Sequence, residues 1–279
     1  MSLPPPTLPN CYRHPSRTTG RHCTRCGRPA CGDCLVQADI GSRCVGCVRE
    51  LQPSLRTRAR FWNAGQQGVV TRILISINAL VFMWIIAGGS QGSLMGGTIN
   101  QHHIDLGLAA GFLRQGEWYR MVSAGFLHFG LFHIGMNMLL LYQLGNLLEP
   151  ILGRGKFTLL YFAALVGGSA GAIISSPNGL TGGASGAVFG LMTAAAVVLH
   201  QRGINPMQTG LGATLILNLV ITFAIPGISV GGHVGGALVG AAVSWVMVEP
   251  NWKRSLPWLS WAAPVIAIVG AFFVTNMTL

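Results

Sequence analysis

From about residue 70 onward the sequence is a succession of apolar runs separated by short polar breaks. An apolar run of about 20 residues crosses a bilayer as a helix, because in hydrocarbon every backbone polar group must be satisfied within the segment. Such runs are expected at 71–88, 121–148, 156–175, 184–201, 210–226, 230–248 and 258–278. They make seven crossings: six in a compact block and one after the polar break Glu249-Pro250-Asn251-Trp252-Lys253-Arg254. Only 9% of the 279 residues are charged, against about 25% in a soluble chain. The expected fold class is therefore an all-α membrane protein in contact with the lipid bilayer.

The net charge of +11 invites a nucleic-acid reading, but its distribution excludes a basic recognition helix. Eleven of the 18 Lys and Arg fall between Arg13 and Arg72, up to the start of the first span. That placement suits orientation or anionic headgroups, and no nucleic acid is expected. The N-terminal segment carries Arg56, Arg58, Arg60 and Arg72, Arg154 and Lys156 follow span 2, Arg202 follows span 4, and Lys253 and Arg254 follow span 6. The alternate loops hold only Arg114 and Arg120, so a cytoplasmic N-terminus and an outside C-terminus are expected, in the cell membrane. Pro4, Pro5 and Pro6 with no early apolar run do not make a signal peptide, so the first span should act as an uncleaved anchor. The chain divides into a disordered start (1–10), a Cys-rich module (11–50), a linker (51–70), a six-span core (71–250) and a seventh span (251–279).

Ionisable groups inside spans are rare and expensive. Here they are His128, His133 and His233, with Glu149, His200 and Glu249 near span ends; Asn137 and Ser185 are polar companions. With this orientation spans 2, 4 and 6 all run inward. His133 precedes Glu149 by 16 residues, Ser185 precedes Arg202 by 17, and His233 precedes Glu249 by 16. Each therefore sits roughly 24 Å from the inner boundary, at one level below the outer surface. Asn137 lies four residues after His133, on the same helical face one turn deeper.

The segment Pro177-Asn178-Gly179-Leu180-Thr181-Gly182-Gly183-Ala184 prevents span 4 from starting as helix before about residue 184. The preceding loop must dip into the membrane against protein or a wet cavity. Ser185 then stands at a helix N-terminus, whose free N–H groups suit the oxyanion of acyl transfer. A serine needs an adjacent base, and His233, flanked by glycines, can approach. The plain alternative for Ser185 is a helix-capping serine. Gly167-Gly168-Ser169-Ala170-Gly171 matches the G-x-S-x-G elbow in letters, but that motif needs a strand–turn–helix setting, so Ser169 is read as a packing serine. Gly186 and Gly190, and Gly232, Gly236 and Gly240, recur at every fourth position, which makes spans 4 and 6 the expected close pair.

Gly183-Ala184-Ser185-Gly186 resembles the G-x-S-G motif of the rhomboid family of intramembrane serine proteases. His128-Phe-Gly-Leu-Phe-His133-Ile-Gly-Met-Asn137 is similar to that family's second-span signature, and Gly232-His233-Val-Gly-Gly236 to its sixth-span histidine followed by small residues. Trp118-Tyr119-Arg120 resembles the Trp-Arg element of the first outer loop, with one residue inserted. The resemblance covers about residues 70–250. It implies a six-helix rhomboid core plus one C-terminal transmembrane helix. It further implies a Ser185–His233 catalytic dyad with no third acid and no catalytic cofactor; no Asp follows Asp105. It assigns oxyanion binding to His133, Asn137 and the Ser185 N–H, and site support to His128, Gly183, Gly186 and Gly236. The implied substrates are membrane proteins cut within or beside a transmembrane segment, with span 5 and the loop 226–231 as gate and cap. A non-catalytic receptor of the same shape and a proton-coupled transporter are the competing readings.

All seven cysteines lie between Cys11 and Cys47. They form the regular pairs Cys11-x2-His14, Cys23-x2-Cys26, Cys31-x2-Cys34 and Cys44-x2-Cys47, eight ligands for two structural Zn²⁺. The odd cysteine number and the expected cytoplasmic location disfavour disulfides. The order resembles a B-box-like cross-braced finger, with pairs one and three on one ion and two and four on the other. Spacing alone leaves consecutive pairing open, and His22 in place of His14. About 40 residues cannot build a large core, so metal should supply most of the folding free energy. The module's role is then structural, or the binding of a cytosolic protein partner.

Overall fold

The computed structural model describes residues 7–38, 40–52, 68–88, 99–248 and 255–279. Residues 1–66 and 67–279 are separate compact units. The expected disordered start through Pro6, most of the linker with Arg56, Arg58 and Arg60, and the polar break from Glu249 to Arg254 lie outside the described residues.

The first unit has two short hairpins. In one, β1 (Asn10–Cys11) pairs antiparallel with β2 (His14–Thr18). In the other, β3 (Leu35–Gln37) pairs with β4 (Ser42–Cys44), and α1 (Val45–Leu51) follows. Its small core is chiefly cysteine: Cys11, Ala30, Cys31 and Cys34 form one buried cluster, and Cys23, Cys44 and Cys47 another.

The second unit is helical. Seven apolar helices stand among its described residues: α2 (Val69–Ala87), α6 (Leu131–Leu152), α7 (Arg154–Ser175), α8 (Ser185–Gln201), α9 (Gly210–Ala224), α10 (Val230–Val248) and α11 (Leu259–Thr278). The short helices α3 (Gln101–Leu106), α4 (Ala110–Arg114) and α5 (Arg120–Ser123) fill the segment between α2 and α6. By length and composition α2, α6, α7, α10 and α11 can each cross a membrane; α8 and α9 are shorter, at 17 and 15 residues. The chain is thus a multi-pass membrane protein.

The expected span 121–148 needs correction. Residues 120–126 form α5 and a single 3-10 turn, and α6 begins only at Leu131 and runs on to Leu152. Gly130, at φ 132°, marks the break, in a conformation that other residues avoid. His128 therefore lies in the approach to α6, outside the described helices.

α7 is the central helix, with 72% of its apolar stretch buried against 17% for α11. α10 packs against both α7 and α8, and α11 lies along α7 and α10. The glycine contact accordingly involves three helices where the sequence suggested two. A Cβ on Gly236 would collide with the Gly186 carbonyl, one on Gly240 with Gly190, and one on Gly171 with Gly231. Backbones meet where side chains would hold them apart, which is how membrane helices pack without a hydrophobic driving force. α9 is bound far more loosely, and Gly212 and Thr222 are its only buried residues.

Candidate active site

The segment before α8 is irregular backbone at the heart of a membrane bundle, so its polar groups need partners within the protein. Leu108 and Thr181 exchange N–H···O bonds of 2.9 and 2.8 Å, Ala110 donates to the Pro177 carbonyl, and Gly183 donates to the Ala124 carbonyl. The segment between α2 and α6 that supplies those partners is held by Arg120. Its guanidinium is buried, donates to the carbonyls of Ile104 and Gly107, pairs with Glu117 at 2.6 Å and lies over the Phe112 ring. Arg120, followed by Tyr119, keeps the Glu117 carboxyl below its usual range.

This scaffold delivers Ser185 as the first residue of α8. Ala184 occupies the capping position and no side chain caps the helix, so the Ser185 hydroxyl is not spent as a cap. It lines a cavity of about 610 Å³ together with His133 and Asn137 of α6, His233 of α10, and Asn218 and Ile221 of α9. Among the described residues, the two histidines are the only titratable side chains in that lining.

Each polar group has a defined attitude. The Phe129 N–H donates to Nδ1 of His133 at 3.4 Å, so a neutral His133 ring carries its proton on Nε2. Gly183 lies beneath that nitrogen: a Cβ there would stand 2.9 Å from Nε2 and 3.6 Å from the Ser185 Oγ, and its φ of +139° also favours glycine. The Asn137 amide gives one N–H to the His133 carbonyl at 2.9 Å and keeps a second. The His233 ring is stacked on Phe189, centroids 4.1 Å apart and planes 16° apart, one turn along α8 from Ser185. Its Nδ1 lies 2.8 Å from the Thr222 hydroxyl. His128 is fully buried, 3.3 Å from the Phe126 carbonyl and edge-on to His133 at 5.0 Å. Gly186 and Gly236 form the close contact of α8 with α10 that brings the serine and histidine helices together. Ser169 donates to the Met121 carbonyl at 2.7 Å, a structural bond between α7 and α5.

Phe189 and Thr222 were not singled out in the sequence. Phe189 had a findable signal, since it falls one helical turn after the candidate serine. Thr222 had none: a lone threonine in an apolar run is ordinary.

In the first unit, two groups of metal-ligating side chains are assembled, Cys11, His14, Cys31 and Cys34 in one and Cys23, Cys26, Cys44 and Cys47 in the other. This is the interleaved arrangement, and His22 belongs to neither group. In each group the donor atoms all lie within 4.8 Å of one another. His14 Nδ1 stands 3.3 Å from the Cys31 sulfur and 3.5 Å from that of Cys34, and the Cys26 and Cys44 sulfurs are 3.7 Å apart. A tetrahedron with arms of about 2.3 Å has edges of about 3.8 Å, so the donors fit one ion per group. The Cys44 N–H, 3.2 Å from the Cys23 sulfur, leads in drawing that thiol down to about 6. Burial pushes Cys34 up to about 11 and Cys47 up to about 12. Crowded thiols of this kind cannot all ionise unless a cation sits among them. Each group could hold a metal ion.

Residues 115–250 match the family described as Rhomboid domain. Rhomboid protease GluP of Bacillus subtilis is 31% identical over 202 residues, 71% of this chain and 38% of its own length. Rhomboid-like protease 1 of Toxoplasma gondii is 32% identical over 159 residues, 54% of each chain. Rhomboid protease GlpG of Serratia proteamaculans is 37% identical over 136 residues, 46% of this chain and 48% of its own. The chain thus spans between 38% and 54% of the length of these relatives. By the motifs of its sequence, its helical core and these matches, the chain carries a rhomboid domain over residues 115–250 and is similar to curated rhomboid proteases.

Proposed function

We propose that the chain is an intramembrane serine endopeptidase that cuts membrane proteins within or next to a transmembrane segment. The observation that carries this reading is the single cavity lined by Ser185, His133, Asn137 and His233 at the start of α8. The Ser185 hydroxyl attacks the scissile carbonyl as His233 Nε2 takes its proton. The tetrahedral oxyanion receives the Ser185 N–H, the His133 Nε2–H and the free N–H of Asn137. His233 then gives its proton to the leaving amine, and water releases the acyl group by the same steps in reverse roles. Helix α9 contributes Asn218 and Ile221 to the cavity wall and is loosely packed, which supports entry of a substrate helix on that side.

The same reading assigns one Zn²⁺ to Cys11, His14, Cys31 and Cys34 and one to Cys23, Cys26, Cys44 and Cys47. These ions are structural: four protein ligands each leave no open position. The module is then a folded cytosolic platform for a protein partner. The Lys/Arg bias supports an inside N-terminus and an outside C-terminus.

The test is cleavage of a transmembrane substrate by the full chain in liposomes. Ser185→Ala and His233→Ala are each expected to abolish it, and a fluorophosphonate probe should label wild type at Ser185. Undiminished cleavage by Ser185→Ala would remove the assignment.

A further inference from the structure

The geometry points to Thr222 as the positioning residue that sets the tautomer of His233, in the place that an acid holds in a serine protease triad. The inference rests on the dyad proposed above.

Among the described residues, the lining of the cavity contains no Asp or Glu, so none of these residues offers a carboxylate to hold the imidazole. What meets Nδ1 is the Thr222 hydroxyl, 2.8 Å away. That hydroxyl is also 2.6 Å from the Asn218 carbonyl oxygen. A hydroxyl has one hydrogen, and a carbonyl oxygen can only accept. The Thr222 proton therefore goes to Asn218, and Thr222 Oγ1 offers a lone pair to His233. Nδ1 must then be the protonated nitrogen, and Nε2 carries the free lone pair that a base for Ser185 requires. The hydrogen bond at one imidazole nitrogen selects the state of the other.

Two further facts mark this contact as built. Thr222 is buried, at 2% exposure, on a helix whose neighbouring side chains Leu219, Val220 and Phe223 are exposed. The stack on Phe189 fixes the plane of the ring, while the bond to Thr222 fixes its rotation within that plane. When the ring takes the serine proton, Oγ1 stays in place to accept from the Nδ1–H of the imidazolium, and the bond to Asn218 reinforces it.

The experiment compares the full chain in liposomes as wild type, Thr222→Val, Thr222→Ala and Thr222→Ser. Val keeps the shape and removes the acceptor, Ala cannot clash, and Ser restores the hydroxyl. In serine proteases a histidine held in the wrong tautomer loses about 10⁴ in kcat. A neutral hydroxyl is a weaker anchor, so Val and Ala are expected to lower kcat by at least about tenfold, leave KM within about twofold, and slow fluorophosphonate labelling of Ser185 in parallel. Ser should regain most of the loss. A merely structural threonine would not divide Val from Ser in kcat at constant KM. Wild-type kcat in either Val or Ala, or an equal loss in Ser, would overturn the assignment; if Val fails to fold, Ala decides. Ser185→Ala in the same assay keeps the two readings apart. If it is inactive while Thr222→Val is unimpaired, only the positioning role falls; if it is active, the dyad itself falls.

Discussion

Glu149, near the end of α6, receives on one carboxylate oxygen both the backbone N–H and the hydroxyl of Thr71, at 2.9 and 2.8 Å. Its other oxygen takes the Val70 N–H at 3.0 Å. Helix α2 opens on Gly68, which has no side chain to cap it, so Glu149, 78 positions beyond Thr71, satisfies its first donors. A carboxylate at a helix N-terminus also meets the positive end of the helix dipole. Glu149→Ala leaves buried donors unpaired and is expected to destabilise the domain by about 3 kcal/mol, a typical magnitude for lost bonds to a charged group. Glu149→Gln should fall between, keeping one acceptor oxygen. Thermal unfolding in detergent measures this, and an unchanged midpoint for Ala would refute the capping role.

His133 and Asn137 offer the second prediction. In the proposed mechanism both donate to the oxyanion, and such donors act in the transition state more than in the ground state. His133→Ala and Asn137→Ala should each lower kcat by about 10²–10³ with little change in KM. Kinetics on a transmembrane substrate distinguish this from substrate binding, which would raise KM and leave kcat alone.

The glycine contact of α8 and α10 leads to a third. A Cβ on Gly236 meets the Gly186 backbone on a facing helix, which cannot rotate aside. Gly236→Ala should cost about 2 kcal/mol or more of stability and abolish cleavage, because the helices that carry Ser185 and His233 must separate. Gly270→Ala on α11 is the control. A Cβ there has nothing within 4 Å, and alanine's better helix propensity should leave stability equal or slightly raised. Comparable melting of the two variants would count against the close contact.

Much of this architecture was legible in the sequence because lipid imposes strict rules. Uninterrupted apolar length marks a helix, and Pro177 with Gly179, Gly182 and Gly183 marks where α8 cannot begin. The start of α6 was misread for a physical reason. Residues 121–127 are as apolar as a span, and hydropathy cannot separate a span from a buried turn whose neighbouring carbonyls are satisfied by Arg120 and Ser123. Long-range partners were equally hidden. Glu149 looked like a boundary residue, and nothing local reveals that it caps α2. Thr222 gains meaning only once α9 lies against α10. The third glycine helix, α7, was likewise visible only in space, where Gly167, Gly168 and Gly171 meet the backbone and side chains of α8 and α10.

The cysteine module gives the last prediction. Its two ligand groups interleave along the chain, so each ion would fasten segments that the other does not hold: the β1–β2 hairpin to Cys31 and Cys34, and the Cys23–Cys26 turn to β4 and α1. With cysteines forming most of the buried core, little apolar area remains to hold the fold without metal. Atomic spectroscopy of the purified full chain should find two zinc ions per molecule. Cys34→Ser should lower that to about one or fewer, since a site of four ligands does not keep a structural ion on three. Strong chelation should make residues 7–52 sensitive to protease where the metal-loaded chain resists. Two full equivalents of zinc retained by Cys34→Ser, or an unchanged digestion pattern after chelation, would mean that the fold of this unit does not depend on the ions.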